Sequence, residues 1–341
     1  MNATVRSAIA LALALGVLAL FVLAVGWEDV FAATARASLS VYALAFLASA
    51  FVLIARSYVW HRLLGAVDRP RPYWLIGGVY LTATFAKYVT PYGQVASGVG
   101  TAAVVSRYYE SAYEESLAGV VSADFLTYLP YYSFGLVGLA LLVASGPVPA
   151  ALLEFGAPAV ALVVVAAVGL ATVWTRRSLV IRGLLRVGTA LQGVVARISP
   201  TRAAALEREA LRERLRGFYV TLDLLSGDRR TVAVAVLVAH LGWLGLAAAL
   251  HFSALSVGVE LPAAVVLLTV ALSKLGFLVP TPGGVGGVEI ALAGVLFALT
   301  PVGGAAATAI AILYRFGTYW FTVLVGGVTS VALAATDPTP P

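Results

Sequence analysis

Long apolar runs separated by short polar connections dominate the pattern. They cover about 7–26, 40–60, 74–90, 117–143, 158–175, 231–252, 262–280, 288–300 and 305–334. About 20 apolar residues carry a helix across a bilayer core. The pattern therefore predicts an all-α integral membrane protein. The first run follows Arg6 and exceeds the roughly 7–15 residues of a signal-peptide core, so it is read as a retained first span.

Two runs are broken by glycine and proline at matching places. Thr90-Pro91-Tyr92-Gly93 interrupts one and Thr281-Pro282-Gly283-Gly284 the other, each with a lysine upstream, Lys87 and Lys274. Non-helical backbone at membrane depth is tolerated only where protein or a water-filled cavity satisfies it. The two broken regions, 74–109 and 262–300, are thus expected to be re-entrant hairpins. The expected fold has about six full spans plus these two broken-helix hairpins.

Arginine placement sets the topology. Residues 176–230 carry twelve arginines against five acids, and short basic loops face the cytoplasm. The 56–72 connection, with Arg56, Arg62, Arg69 and Arg71, is assigned to the same side. Three simple spans between these loops would leave the second one outside. A hairpin over 74–109 restores the parity. The organisation becomes 1–39, a first span and external loop; 40–143, a first repeat; 144–175, an additional span; 176–230, a basic connection; 231–334, a second repeat; and 335–341, a short tail. The repeats have opposite orientation, and both termini are expected in the cytoplasm. Inverted halves with helices broken at corresponding positions point to a transporter site near the midplane.

The basic connection has its own periodicity. Leu211, Leu215, Phe218, Leu222 and Leu225 recur at 4-3-4-3 spacing, and Ile181, Leu184, Leu185, Leu191, Val195 and Ile198 form a second stripe. Both suit amphipathic helices on the anionic inner leaflet. The bland alternative is a linker that fixes topology.

Composition narrows the chemistry. The chain is 61% hydrophobic and 11% charged, with net charge +6 and no cysteine. Thiolate metal sites and disulfides are excluded. The basic balance reads as topology and lipid contact rather than nucleic-acid binding. Of 22 Lys+Arg residues only Lys87 and Lys274 are lysines, and both lie in apolar runs. Intramembrane charges are functional by default expectation. His240 and His251 share a helix face without a converging acid, so no metal site and no cofactor are expected. A P-loop is absent, and the acids are isolated rather than clustered for catalysis. No enzyme activity is therefore expected.

The "VPTPGGVGGVE" block at 279–289 and "YRFGTYWF" at 314–321 resemble the lysylphosphatidylglycerol synthase transmembrane region, the flippase-like membrane family. "ARSYVWHRLLG" (55–65), "KYVTPYGQ" (87–94) and "SADFLTYLPYY" (122–132) are similar to its looser blocks. The resemblance implies a prokaryotic cell-membrane protein that moves a phospholipid or lipid-linked headgroup between leaflets. The membrane region uses all 341 residues, so the family's separate synthase domain is not expected. Gln94 stands where the family often shows glutamate, and Ala123 where it often shows arginine. The candidate substrate-binding residues are Lys87, Pro91, Gly93, Gln94, Arg107, Asp124, Lys274, Pro282, Gly283, Gly284, Gly286, Glu289 and Arg315.

In this reading the hairpin tips meet, glycine-rich backbone N–H groups and the cations hold a lipid phosphate, and Glu289 pairs a lysine or greets a cationic headgroup. The rival for Glu289 is a static ion pair with Lys274 or Lys87. Asp124 is expected to pair Arg107 or Lys87. Two other functions stay open: a membrane transferase acting on a lipid carrier, and a non-transporting partner of lipid or glycan synthesis enzymes.

Overall fold

The computed structural model describes residues 27–67, 70–90, 101–102, 105–106, 113–145, 172, 175–196, 207–279 and 281–336. The runs 7–26 and most of 158–175 lie outside these residues, as do Pro91, Gly93, Gln94 and Arg107. The described elements are helical throughout. They are α1 (Trp27–Ala35), α2 (Leu39–Val67), α3 (Tyr73–Val89), α4 (Tyr113–Ser145), α5 (Arg177–Ala196), α6 (Arg208–Gly227), α7 (Arg229–Ser256), α8 (Ala263–Leu272), α9 (Gly287–Leu299), α10 (Gly304–Arg315) and α11 (Phe321–Thr336). Among the described residues five stretches are long and apolar enough to cross a membrane: Leu39–Val67, Tyr113–Ser145, Arg229–Ser256, Pro282–Leu299 and Gly304–Leu333. The predicted all-α membrane fold is what the chain adopts.

An antiparallel pair, α2 and α7, forms the spine. Small residues set its spacing. A Cβ on Gly242 would lie 2.9 Å from Ala55, and one on Gly245 would lie 2.8 Å from Val52. Close backbone approach through small residues drives helix association where lipid supplies no hydrophobic force. At one end the backbone of Ser38 donates to Ser256 O at 2.8 Å, joining the start of α2 to the end of α7. At the other end Asp228 caps α7, accepting from Thr231 N at 3.0 Å; this satisfies one of the free N–H groups that begin any helix.

Because α2 and α7 are antiparallel, the helices that follow them start from opposite ends of the bundle. α3 follows α2 and α8 follows α7, and both run toward the middle. Each packs on the long helix from the other half of the chain. α3 lies on α11, where a Cβ on Gly326 would meet Leu81 O at 2.7 Å. α8 lies on α4, where a Cβ on Gly138 would meet Leu268 N at 2.9 Å and Ala264 O at 3.0 Å. The two packings are reciprocal.

The second broken region folds as a hairpin. α8 tightens into a 3-10 segment, Ser273–Leu278, followed by a turn at Pro282–Gly284 and then α9. The arms touch at Gly276, where any Cβ would collide with the backbone of Gly287 and Val288. Pro282–Leu299 reaches spanning length only by counting the turn at Pro282–Gly284; α9 itself has 13 residues, about 20 Å of helix, which is short of a bilayer core of about 30 Å. Of the first broken region, α3 and the helical residues 101–102 and 105–106 are described.

Two sequence expectations change here. Arg56 and Arg62, assigned to a cytoplasmic connection with Arg69 and Arg71, both fall inside the 29-residue helix α2. The apolar stripe of α6 does not lie open to lipid along its length. Tyr219, Thr221 and Leu225 are buried, and Leu211, Leu215, Phe218 and Leu222 are half-covered. α6 rests on α4 through Arg214 Nε and Glu114 Oε1 at 3.1 Å. It is joined to α5 by Arg177, whose two terminal nitrogens donate to Asp223 at 2.7 and 2.6 Å. That fork holds the Asp223 carboxyl below the usual carboxylate range.

Gly138→Ala is expected to lower stability by about 1–3 kcal/mol, the usual cost of forcing a methyl into a filled contact. Gly294, within α9, has nothing within 4 Å of its added Cβ, so Gly294→Ala is expected to leave stability unchanged or raise it slightly. Thermal melting in detergent micelles reads both. A Gly138→Ala protein that melts with wild type would contradict the α4–α8 packing.

Candidate functional site

The turn after the 3-10 segment depends on glycine. Gly283, Gly284 and Gly286 have φ of 58°, 66° and 85°, values that L side chains rarely adopt. At Gly283 a Cβ would also overlap the Tyr319 ring. The turn aims the start of α9 at the bundle interior, with Glu289 in its first turn as the sequence predicts. The Glu289 carboxylate reaches back to accept from Gly286 N at 2.8 Å. Its other oxygen accepts from Arg315 Nε at 2.8 Å. Arg315 closes the ring by donating to Gly283 O at 2.8 Å, with its guanidinium carbon 4.2 Å from the Tyr319 ring centre.

Both charges are inaccessible, Glu289 at 2% and Arg315 at 5% exposure. Each lies where its partner can meet it for a local reason. Glu289 suits a helix start, where the dipole favours an anion. Arg315 ends α10 immediately before a single π turn, Phe316–Trp320. Such wide turns often mark functional positions in helices. The partner of Glu289 is therefore Arg315, rather than Lys274 or Lys87.

The tip backbone is committed as well. Thr281 N donates to Val279 O, Gly284 N to Thr281 O, and Val285 N to Pro282 O. With Gly286 N held by Glu289, these four N–H groups point into the protein's own turn. The expected cradle of free backbone donors for a phosphate is not formed by them. A carboxylate of the chain already occupies the anion-favouring end of α9.

The remaining charges gather beside this knot. Lys87 Nζ, near the end of α3, lies 3.5 Å from Asp124 Oδ2 and donates to Tyr128 OH at 3.2 Å. Lys87 is thus the one of the two expected partners of Asp124 that falls within the described residues. Lys274 Nζ sits 4.3 Å from the Tyr131 ring centre, 4.4 Å from Phe277 and 5.5 Å from Tyr128. Arg56 donates to Tyr131 OH at 3.0 Å. Among the described residues neither Lys274 nor Arg56 has a carboxylate partner.

These groups line two adjoining cavities of about 30 and 40 Å³ that share Arg56, Tyr80, Thr84 and Tyr88. Lys87 and Asp124 face the first cavity, Lys274 and Arg315 the second. Each has room for a few waters and none for a lipid headgroup. α3 reaches the same place. Tyr319 OH donates to Tyr88 O at 3.3 Å, with the two rings 5.2 Å apart. The arm entering from one end thus touches the hairpin tip entering from the other. Among the described residues no three His, Asp or Glu side chains converge as metal ligands.

The structure brings together Lys87, Asp124, Lys274, Pro282, Gly283, Gly284, Gly286, Glu289 and Arg315 around this centre. Pro91, Gly93, Gln94 and Arg107 lie outside the described residues. Sequence reasoning missed Arg56 and the inward tyrosines Tyr80, Tyr88, Tyr128, Tyr131, Tyr314 and Tyr319. A signal for Arg56 existed: it falls within the apolar run 40–60, where an arginine is as anomalous as either lysine.

Removing one member of a buried pair leaves the other uncompensated, at a cost of about 3–5 kcal/mol. Arg315→Met is expected to show that loss in chemical unfolding in micelles. The double variant Glu289→Gln/Arg315→Met is expected to recover part of it, since no buried charge is left alone. Strictly additive losses would contradict the pairing.

No curated protein matches this chain. The family model described as the lysylphosphatidylglycerol synthase TM region matches residues 7–326. That range contains the spine, both broken regions and the charged centre. The chain is therefore a multi-pass membrane protein of the lysylphosphatidylglycerol synthase transmembrane-region family, a family tied by its name to membrane lipid handling.

Proposed function

We propose that the protein is a flippase-like lipid translocase. It moves a phospholipid or a lipid-linked headgroup between leaflets through the charged centre where the broken helices meet. The observation that carries this reading is the pair of cations, Arg56 and Lys274, that face a cavity with no carboxylate partner among the described residues. An uncompensated charge inside a membrane protein is costly and is retained for function. A headgroup phosphate is the part of a lipid that resists crossing, and it is the group these cations would hold.

The reciprocal packing of α3 on α11 and α8 on α4 supports a further element of the proposal: the two halves are inverted repeats that rock about the α2–α7 spine. Arms that enter from opposite ends and stop at one point suit alternating exposure of a central site. The protein acts as a facilitator or a gradient-driven carrier, not as an enzyme. It resides in a prokaryotic cell membrane with both termini and the α5–α6 layer in the cytoplasm. The arginines of α5 and α6 contact anionic inner-leaflet lipid.

Reconstitution into sealed vesicles with headgroup-labelled phospholipid tests the reading. Wild type is expected to accelerate leaflet exchange by at least about tenfold over protein-free vesicles. Arg56→Gln/Lys274→Ala, a variant that keeps the Glu289–Arg315 knot, is expected to fall to the protein-free rate while still melting as a folded protein. Wild type that exchanges no faster than protein-free vesicles, or a double variant as fast as wild type, would remove the proposal's support.

A further inference from the structure

The charge arithmetic of the centre says more than that a lipid binds. Four cations, Arg56, Lys87, Lys274 and Arg315, line the two cavities with two acids beside them, Asp124 and Glu289. Glu289 is fully engaged by Arg315 and Gly286, and Asp124 lies against Lys87. Two basic side chains, Arg56 and Lys274, are left without a carboxylate among the described residues. Neither acid is left over for a cationic ligand.

The aromatic faces nearest the cations, those of Tyr128, Tyr131, Phe277 and Tyr319, are engaged as well. A quaternary or primary ammonium headgroup is recognised by aromatic rings stacked around the cation. Here the faces of Tyr131 and Phe277 already hold the Lys274 ammonium, at 4.3 and 4.4 Å. At those rings a choline or ethanolamine group would have to displace a cation of the protein, and a lysine-esterified headgroup would bring a further positive charge. A headgroup with net negative charge meets none of these obstacles. It would also pair the two basic side chains left over, turning a self-repelling centre into a paired one.

We infer that the site selects headgroups carrying net negative charge, such as an unmodified phosphatidylglycerol or a polyprenyl phosphate, over zwitterionic and aminoacylated ones. The inference rests on the translocase reading for its location and names the substrate class of that same site. Lys274 is the selecting residue. It sits on the 3-10 segment of the hairpin, whose hydrogen bonds are weaker than those of an α-helix. Its ammonium is held by rings rather than by a carboxylate, so it can follow a phosphate without leaving a buried anion behind.

Two readouts on the full chain separate this inference from translocation itself. The first is leaflet exchange in phosphatidylcholine vesicles with a trace of acyl-labelled phosphatidylglycerol, phosphatidylethanolamine or lysine-esterified phosphatidylglycerol. The expected rate for phosphatidylglycerol is at least about tenfold above either other lipid. Lys274→Glu is expected to abolish or reverse that order, and Lys274→Gln to weaken it. The second is thermal stabilisation in micelles by the same three lipids and by inorganic phosphate. Phosphatidylglycerol is expected to raise the melting temperature of wild type but not of Lys274→Glu, with inorganic phosphate giving a smaller shift.

Selective stabilisation without exchange would sustain the charge selection and defeat the translocase reading. Equal or greater preference for the zwitterionic or lysine-esterified lipid in both readouts would overturn the inference, as would a preference untouched by Lys274→Glu. A full shift from inorganic phosphate alone would overturn it too, by assigning the site to a soluble anion.

Discussion

A helix that stops inside a membrane protein exposes polar backbone with no water to satisfy it, and the rest of this structure answers that problem. Glu289 answers it at the start of α9, accepting from Gly286 N while lying in the favourable field of the helix. The carboxylate then needs a cation, which Arg315 supplies from the end of α10. Arg315 in turn satisfies Gly283 O on the same turn. The closed ring fixes the hairpin tip against the π turn and places Tyr319 against Gly283 and Tyr88. Without the ring, the arm entering from the other end would have nothing ordered to meet.

That dependence explains how charge is divided in the centre. The strongest pair is spent on structure. The weaker contacts, Lys87 with Asp124 at 3.5 Å and Lys274 among aromatic rings, are the ones a ligand can replace. An anion bound there would gain two cations without breaking the knot that shapes the site. Family membership accords with a lipid as the source of that anion.

Much of the fold was legible because hydropathy is a strong signal in lipid. The long runs became α2, α4, α7 and α10–α11, and the second Gly/Pro break became a hairpin with Glu289 in the first turn beyond it. The 4-3-4-3 spacing in 211–225 foretold α6. Its docking on α4 through Arg214 and Glu114 was not legible, since spacing reports a face and not its partner. Arg56 was misassigned because it stands six residues before Arg62 near the edge of an apolar run, where positive residues normally mark the cytoplasm. The choice of Arg315 over either lysine for Glu289 was also out of reach. Glu289 and Arg315 lie on separate helices, α9 and α10, with a break between Leu299 and Gly304, so no periodic count relates the residues. The tyrosines turn inward because their hydroxyls serve Arg56, Lys87 and the end of α3.

The charged centre lies between arms that enter from opposite ends, and water is expected to reach it through its two cavities. The chain has no cysteine, so single cysteines can be placed without background. Thr84 and Thr318 line the cavities, whereas Leu324 and Val328 lie on the exposed apolar face of α11, 66% and 64% accessible. A small charged thiol reagent needs a hydrated thiolate. In sealed vesicles, Thr84→Cys and Thr318→Cys are predicted to be modified by such a reagent, and Leu324→Cys and Val328→Cys to be spared. Cavity cysteines as unreactive as the lipid-facing pair would contradict the account.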